Sequence, residues 1–385
     1  MAAALHRRPR SRSPLEDEDL LSEILLRLPP QPSSLPRASA VCKLWRRLVS
    51  DRGFLRRYRQ HHRRSPPLLG IFRDDHPNIT YTPTMEAPNR VPVSRFSLHL
   101  NDRYSILSCR HGLVLIFYST WNYVLVWDPV TGDQHRLAAP QGIDMATTPM
   151  DAQVLRAAAD AQHFQVVLVN YKKKYARVIA TIYSSETGVW SNLIQIPVRR
   201  GDMQYEAMPP VLVGYSLYIL LPGDSTGDSP SVILEVDVDS QSLAVLGLPM
   251  DTFAKDQYLI VMRAEGGGLG VLSLTGCTAE LWKRNTDCDG VASWVLGRTF
   301  ELDNLLPLNP EKIRHAPIVA YAEENNVAFL WTFGSIFMIQ LESLQFSKIP
   351  ENNNCFICYP FESIYAAETG IGGGHDGADQ DMLNQ

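Results

Sequence analysis

Ten histidines and six cysteines are the residues best able to hold a metal or attack a substrate, so their spacing decides first what chemistry is open to this chain. Cys355-Phe-Ile-Cys358 has zinc-like or redox-like spacing. A knuckle of that kind needs a second close pair, and Cys277 and Cys288 stand too far apart to supply one, so these are expected to be strand cysteines. Gly266-Gly267-Gly268-x-Gly270 is glycine-rich, yet no Lys-Ser or Lys-Thr follows it and the next segment reads as a strand, which argues against a phosphate cradle. His111, His135, His163 and His315 fall in no nucleophile or metal pattern, and His61 and His62 sit at a basic helix end. The expectation is therefore no catalytic residue, no metal and no cofactor.

With 45% hydrophobic and 20% charged residues the chain can bury a core, and 385 residues suggest two unequal domains. A formal net charge of -5 gives no general reason to expect nucleic acid or an anionic membrane as a ligand. Arginines do cluster locally, at Arg7, Arg8, Arg10 and Arg12 and again from Arg56 to Arg64, as solvated surface or an import signal. Scattered cysteines without a signal peptide read as reduced thiols of a cytoplasmic or nuclear protein. The longest apolar run, near Val211 to Leu221, is well short of the roughly 18 residues that span a bilayer.

The elements that would position any functional group fall into two parts. Residues 1–13, rich in Arg, Ser and Pro, are expected to be a disordered lead-in. In LEDEDLLSEILLRLPP, Leu20, Leu21, Ile24, Leu25 and Leu28 share one helical face. Acidic residues favour the helix start, and Pro29 and Pro30 end it. A second helical stripe runs through Ala38, Val41, Leu44, Trp45 and Leu48, and Asp51 is placed to cap a further turn carrying Phe54, Leu55 and Tyr58. An all-helical unit over residues 14–62 is too small to hide all this leucine, so a partner is expected to cover part of it.

Beyond Pro66 the helical period gives way to short strands, among them Leu113 to Tyr118, Tyr123 to Trp127, Gln165 to Val169, Arg177 to Tyr183, Val232 to Val236, Tyr258 to Met262, Val327 to Trp331 and Ile336 to Ile339. They recur in units of strand, polar turn and strand that often end in Leu-Pro or Ile-Pro, as in VIATIYSSETGVWSNLIQIP and FMIQLESLQFSKIP. Corresponding turns lie roughly 50 to 57 residues apart, near the period of propeller blades. Five units are legible between residues 105 and 350. Leu68 to Phe72, Phe96 to Leu100, Cys355 to Tyr359 and Ile364 to Ala366 are expected to combine into a closing blade, for about six in all over residues 66–367. The glycine-rich, acidic stretch 368–385 is expected to be a disordered tail.

The segment SEILLRLPP, then ASAVCKLWRRLVSD, then Phe54, resembles an F-box, the family's docking element for the Skp-family adaptor of SCF ubiquitin ligases. Counting back from Ile24, the Leu-Pro pair that usually opens that motif falls on Glu16 and Asp17, with Leu15 one position early. The resemblance implies that Leu15, Leu20, Ile24, Leu25, Leu28, Pro29, Val41, Cys42, Trp45 and Leu48 face the adaptor or support that face, with Leu21 and Leu44 in the core. SCRHGLVLIF followed by VLVWDPVTG is similar to the F-box-associated, kelch-like propellers of plant F-box proteins. The fold class implied is a small all-α F-box module followed by an all-β propeller. The implied role is the substrate-recognition subunit of an SCF-type ligase, bound to the adaptor and through it to cullin, and recruiting a target protein. Trp121, Tyr123 and Trp190 are candidate target contacts, for which packing inside the blades is an equal alternative. Two other readings are a kelch-type propeller enzyme and a protein-binding scaffold independent of the ligase.

Overall fold

The computed structural model describes residues 17–365 except 76, 101–102, 144, 146–149, 157–162, 173–174, 199–209, 222, 224–230, 250–256, 290, 333 and 351–356. Leu15, the lead-in, Cys355 and the tail lie outside the described residues. The chain divides into two compact units.

The helical unit holds α1 (Glu18–Leu26), α2 (Ser34–Ser39), α3 (Lys43–Ser50) and α4 (Arg52–His61). Asp17 caps α1, its carboxylate accepting from the backbone N–H groups of Asp19 at 3.0 Å and Leu20 at 3.2 Å. Asp51 caps α4 as expected, accepting from Phe54 N–H at 2.8 Å. The single second helix expected from the apolar stripe is instead two. Ala40 ends α2, and Cys42 takes an extended conformation (φ -161°, ψ 173°) before α3 starts, so the chain turns at Val41. Leu21, Leu25, Leu35, Ala38, Val49, Phe54 and Tyr58 form the core of this unit, and Ile364 joins them.

The second unit is a six-bladed propeller. The blades that follow one another along the chain are β4 (Tyr104–Arg110) to β7 (Gln134–Ala138), β8 (Met150–Arg156) to β12 (Ile194–Pro197), β13 (Val211–Val213) to β16 (Ser242–Gly247), β17 (Gln257–Arg263) to β20 (Ala292–Glu301), and β21 (Ile318–Ala322) to β24 (Phe346–Pro350). Each is antiparallel with strands in sequence order, apart from β12, which pairs with the third strand of its sheet, β10 (Arg177–Ser184). The sixth blade closes the ring from both ends of the unit. β25 (Tyr359–Glu362) pairs with β1 (Leu68–Asp75), followed by β2 (Asn78–Pro83) and β3 (Leu98–His99). First strands of neighbouring blades lie side by side, with β25 against β4 and β21, β4 against β8, and β17 against β13 and β21, so these are the inner strands.

The repeat has a physical signature in its outer turns. Between the third and fourth strands the residues Gly132, Gly188, Gln241 and Leu344 all take positive φ, at 82°, 73°, 50° and 57°. Four residues earlier a side chain often locks the turn. Asp128 accepts from Val130 N–H and Thr131 N–H, Asp237 from Ser240 N–H, and Gln340 from Glu342 N–H and Ser343 N–H. Trp127-Asp128 thus closes a hairpin.

The closing blade differs in detail from its expectation. Asn78–Pro83 forms a strand that was not anticipated, alternating buried Ile79 and Tyr81 with more exposed threonines. Phe96 lies in a short 3-10 turn, Val93–Phe96, and only Leu98–His99 is extended. Its ring packs with Phe72, Tyr81 and Phe361 at centroid distances of 5.0 to 6.5 Å, which draws the chain out of strand geometry. Ile364 is not in a strand, because it is buried in the helical unit's core instead. Gly70 fits where β1 crosses β2 closely. A Cβ there would meet the Thr82 carbonyl oxygen at 2.4 Å.

Candidate functional site: an apolar helical face and an ion network on the propeller's inner strands

Two features of the molecule gather side chains that packing alone does not require. The first is on the helical unit. Along α1, Leu21 and Leu25 point into the core with no exposed surface, which leaves Leu20 (52% exposed) and Ile24 (42%) as an outward i, i+4 ridge. Pro29 is exposed beyond the helix end, and the break between α2 and α3 presents Val41 (62%) and Cys42 to solvent. Leu28, Trp45 and Leu48 are half-buried and pack on the core from the side. Of the residues expected on a docking face, Leu25 alone among those described is wholly buried, because it follows the core stripe of α1 and supports the ridge from beneath.

The ridge is held rigidly. Tyr58 O–H lies 2.7 Å from the Pro29 carbonyl and 3.2 Å from that of Leu28, satisfying carbonyls that the end of α1 leaves open. Burial raises the Tyr58 phenol well above its usual range, so it remains a donor. His62 bonds the Leu26 carbonyl at 2.8 Å, Arg57 donates to Ser22 Oγ at 2.7 Å, and Arg47 pairs with Glu18.

The second feature lies at one end of the inner strands. Arg110, the last residue of β4, donates to both oxygens of Glu323 at 2.7 and 2.9 Å and to the Pro210 carbonyl at 2.9 Å. Both side chains are almost fully buried, at 8% and 7% exposure. Glu323 also accepts from Leu212 N–H at 3.1 Å. Arg263, the last residue of β17, donates to the Leu212 carbonyl and to Glu324, at 3.2 and 3.3 Å. Glu362, the last residue of β25, accepts from the Asn325 backbone and side chain at 2.8 and 2.7 Å and from Glu324 N–H at 3.3 Å. Arg156, ending β8, reaches the His111 carbonyl at 3.0 Å and Asp128 at 2.6 Å. Each blade of the ring therefore contributes at least one group.

The electrostatics of the network follow from burial. Glu362 is pushed up to about 7, chiefly by desolvation and further by the Glu323 carboxylate, while Asn325 and the two amides oppose the rise. Burial, and then Glu362, drive the Cys109 thiol upward. His111, Glu323 and Glu324 bring ligand atoms within 4.8 Å of one another, as a cation site would. Glu323 already holds the Arg110 guanidinium, however, and His111 Nδ1 accepts from Arg156 N–H at 3.1 Å. The arginines thus supply the positive charge that a cation would bring, and the arrangement reads as a staple between blades.

The three aromatic candidates are not gathered into one place. Trp121, 66% exposed, and Tyr123 share the turn and strand after β5 (Leu113–Tyr118), where Tyr123 stacks on Tyr118 at 4.6 Å. Trp190 lies in the next blade and donates from Nε1 to the Ala138 carbonyl at 2.9 Å. Trp294 does the same two blades later, to the Gly247 carbonyl at 3.0 Å, which makes blade packing the common role of these two indoles. The network residues share one position in the repeat, since Arg110, Arg156, Arg263 and Glu362 each end an inner strand and Glu323 follows one.

A helical unit with an uncovered apolar ridge and a six-bladed ring define a docking module joined to a β-propeller. The family comparison agrees. Residues 17–57 match the F-box domain, and residues 105–367 match the family described as F-box protein AT5G49610-like, beta-propeller. The chain belongs to that family. No curated protein matches the chain. The similarity to solved structures is remote. The Dos1 propeller is 9% identical over 75% of this chain and 74% of its own, with a TM-score of 0.39. The PQQ-bound aldose sugar dehydrogenase of Streptomyces coelicolor is 10% identical over 65% and 86%, at 0.37. A structure of the nidogen/laminin complex is 11% identical over 75% and 95%, also at 0.37. Among the described residues no helix is long and apolar enough to cross a membrane.

Proposed function

We propose that this chain is the substrate-recognition subunit of an SCF-type ubiquitin ligase, without catalytic chemistry of its own. The helical unit binds a Skp-family adaptor and through it cullin, and the propeller recruits a target protein. The observation that carries this reading is the ridge of Leu20 and Ile24, continued by Pro29, Val41 and Cys42, standing exposed above a complete core. A helical unit this small keeps such a surface wet only when a partner is meant to cover it. Leu28, Trp45 and Leu48 flank the ridge, Leu25 backs it, and Leu15 precedes it in the chain. The propeller adds rigidity: a ring stapled on its inner strands holds its loops in fixed positions, and tethering raises the effective concentration of target lysines near the ubiquitin-loaded enzyme. Action in the cytoplasm or nucleus fits the free thiols of Cys42, Cys109, Cys277 and Cys288.

Co-purification tests this directly. The full chain expressed with a Skp-family adaptor and cullin should recover both, and Val41→Asp should lose both together. Recovery of the adaptor without cullin would favour a scaffold independent of the ligase, and recovery of neither by the unaltered chain would overturn the reading.

A further inference from the structure

The outermost strand of one blade is built unlike its counterparts. β20 has ten residues, the longest strand described, and it pairs on one side only, with β19 (Thr278–Thr286). A free edge is a template for another strand, and protein edges are blunted by shortness, charge or proline. The other outer strands show those devices. β3 has two residues, β7 carries His135 and Arg136, β12 ends in Pro197, and β24 carries Lys348 and Pro350. β16 has no charge, but Trp294 Nε1 already holds its Gly247 carbonyl. From Val291 to Gly297 the chain reads VASWVLG, with no charged residue and no proline, and Val291, Val295 and Leu296 are exposed.

Which backbone groups face outward follows from the ladder. Asp287 N–H donates to the Val291 carbonyl, so Val291, Ser293 and Val295 bond inward to β19, while Ala292, Trp294 and Leu296 turn N–H and C=O to the free edge. The side chains of Trp294 and Leu296 share one face, and those of Ser293 and Val295 the other. Trp294-Val295-Leu296 therefore complements itself about its middle residue. In an antiparallel pair centred there, Trp294 of each copy exchanges backbone bonds with Leu296 of the other, and the two Val295 side chains meet across the axis. Lys283 sits opposite Val295 on β19. Three strand spacings, about 14 Å, would separate it from Lys283 of the other copy, more than the screening length of about 8 Å at physiological salt. The bulge at Gly297 ends the pairing beyond Leu296. A contact of one short strand pair falls below the roughly 1,200 Å² of a stable complex, so the association is weak.

We propose that β20 pairs antiparallel with β20 of a second copy of this chain, centred on Val295, and joins two four-stranded blades into one continuous sheet. The self-complementary triad favours a second copy over a strand of a target protein, which would have to match Trp294 and Leu296 independently. The inference stands whether or not the helical unit binds an adaptor.

The test uses the full chain with Cys42→Ser and Cys288→Ser, which remove its exposed described thiols, and adds either Val295→Cys or Ser293→Cys. In the proposed register the Cα atoms at position 295 lie about 4.5 Å apart, within disulfide range, and those at position 293 about 14 Å apart. Both positions are exposed and on the same face, so indiscriminate surface oxidation would treat them alike. Under mild oxidation Val295→Cys should give a dimer linked through position 295, mapped by mass spectrometry, in about tenfold the yield of Ser293→Cys. In sedimentation velocity the unaltered chain should sediment faster as its concentration rises from about 10 to 500 µM, and Leu296→Lys should not. Equal yields at the two positions, a dimer linked only through other cysteines, or an unaltered chain that stays monomeric over that range would overturn the proposal.

Discussion

Glu362→Gln should reverse its effect on propeller stability between pH 4 and pH 8. Glu362 lies on the strand that closes the ring, and burial beside Glu323 pushes it from an ordinary 4.5 to about 7. An acid whose folded value is raised stabilises the folded state fully only below 4.5, and that contribution is lost as the pH climbs through 7. The loss at pH 8 is about 3 kcal/mol. Glutamine avoids it and keeps an oxygen for the two Asn325 donors, but gives up the bond from Glu324 N–H at 3.3 Å, at a cost of about 1 kcal/mol. The variant should therefore be more stable than the unaltered chain by about 2 kcal/mol at pH 8, nearly equal to it at pH 5, and less stable by about 1 kcal/mol below pH 4. Urea denaturation of both proteins from pH 3.5 to 8, following propeller tryptophan fluorescence, measures the difference. Parallel curves over that range would refute the argument that Glu362 is held protonated by its surroundings.

Two further outcomes follow from the same geometry. Arg110→Met leaves the buried Glu323 without its bidentate partner and should destabilise the propeller by about 3 to 5 kcal/mol in the same denaturation assay. Asp51→Ala removes the cap of α4 and should cost the helical unit about 1 kcal/mol, read as faster amide exchange at Phe54 and its neighbours while the strands remain unchanged.

Much of this architecture is legible in the residues because the two units speak through different periods. Leu21 and Leu25 against Leu20 and Ile24 mark one helix with a buried and an open side, and Asp51 marks where the last helix begins. The strand at Leu113–Tyr118 is visible because it is buried on both faces and hence continuously apolar. Where local signals compete, the reading goes astray. The stripe from Ala38 to Leu48 keeps helical spacing across Val41 and Cys42, so nothing apolar marks the break. Asn78–Pro83 alternates correctly, but two threonines and an asparagine dilute its hydrophobicity. Ile364 resembles a strand residue and is drawn to the helical core by tertiary packing alone. The ion network was hidden for another reason. Arg110 is more than two hundred residues from both Glu323 and Glu362, and only the closing of the ring makes them neighbours.

The central claim is that the exposed ridge of the helical unit is an adaptor surface, and the affinity of the Leu20→Ala, Ile24→Ala double variant for a Skp-family adaptor tests it most directly. A partner that covers the exposed half of each side chain gains about 1 to 1.5 kcal/mol from it, so losing the pair together should weaken binding about 30- to 150-fold. The thermal midpoint should hardly move, since neither residue is in the core. Binding retained within twofold in titration calorimetry would contradict the account, as would a loss of affinity accompanied by unfolding of the helices.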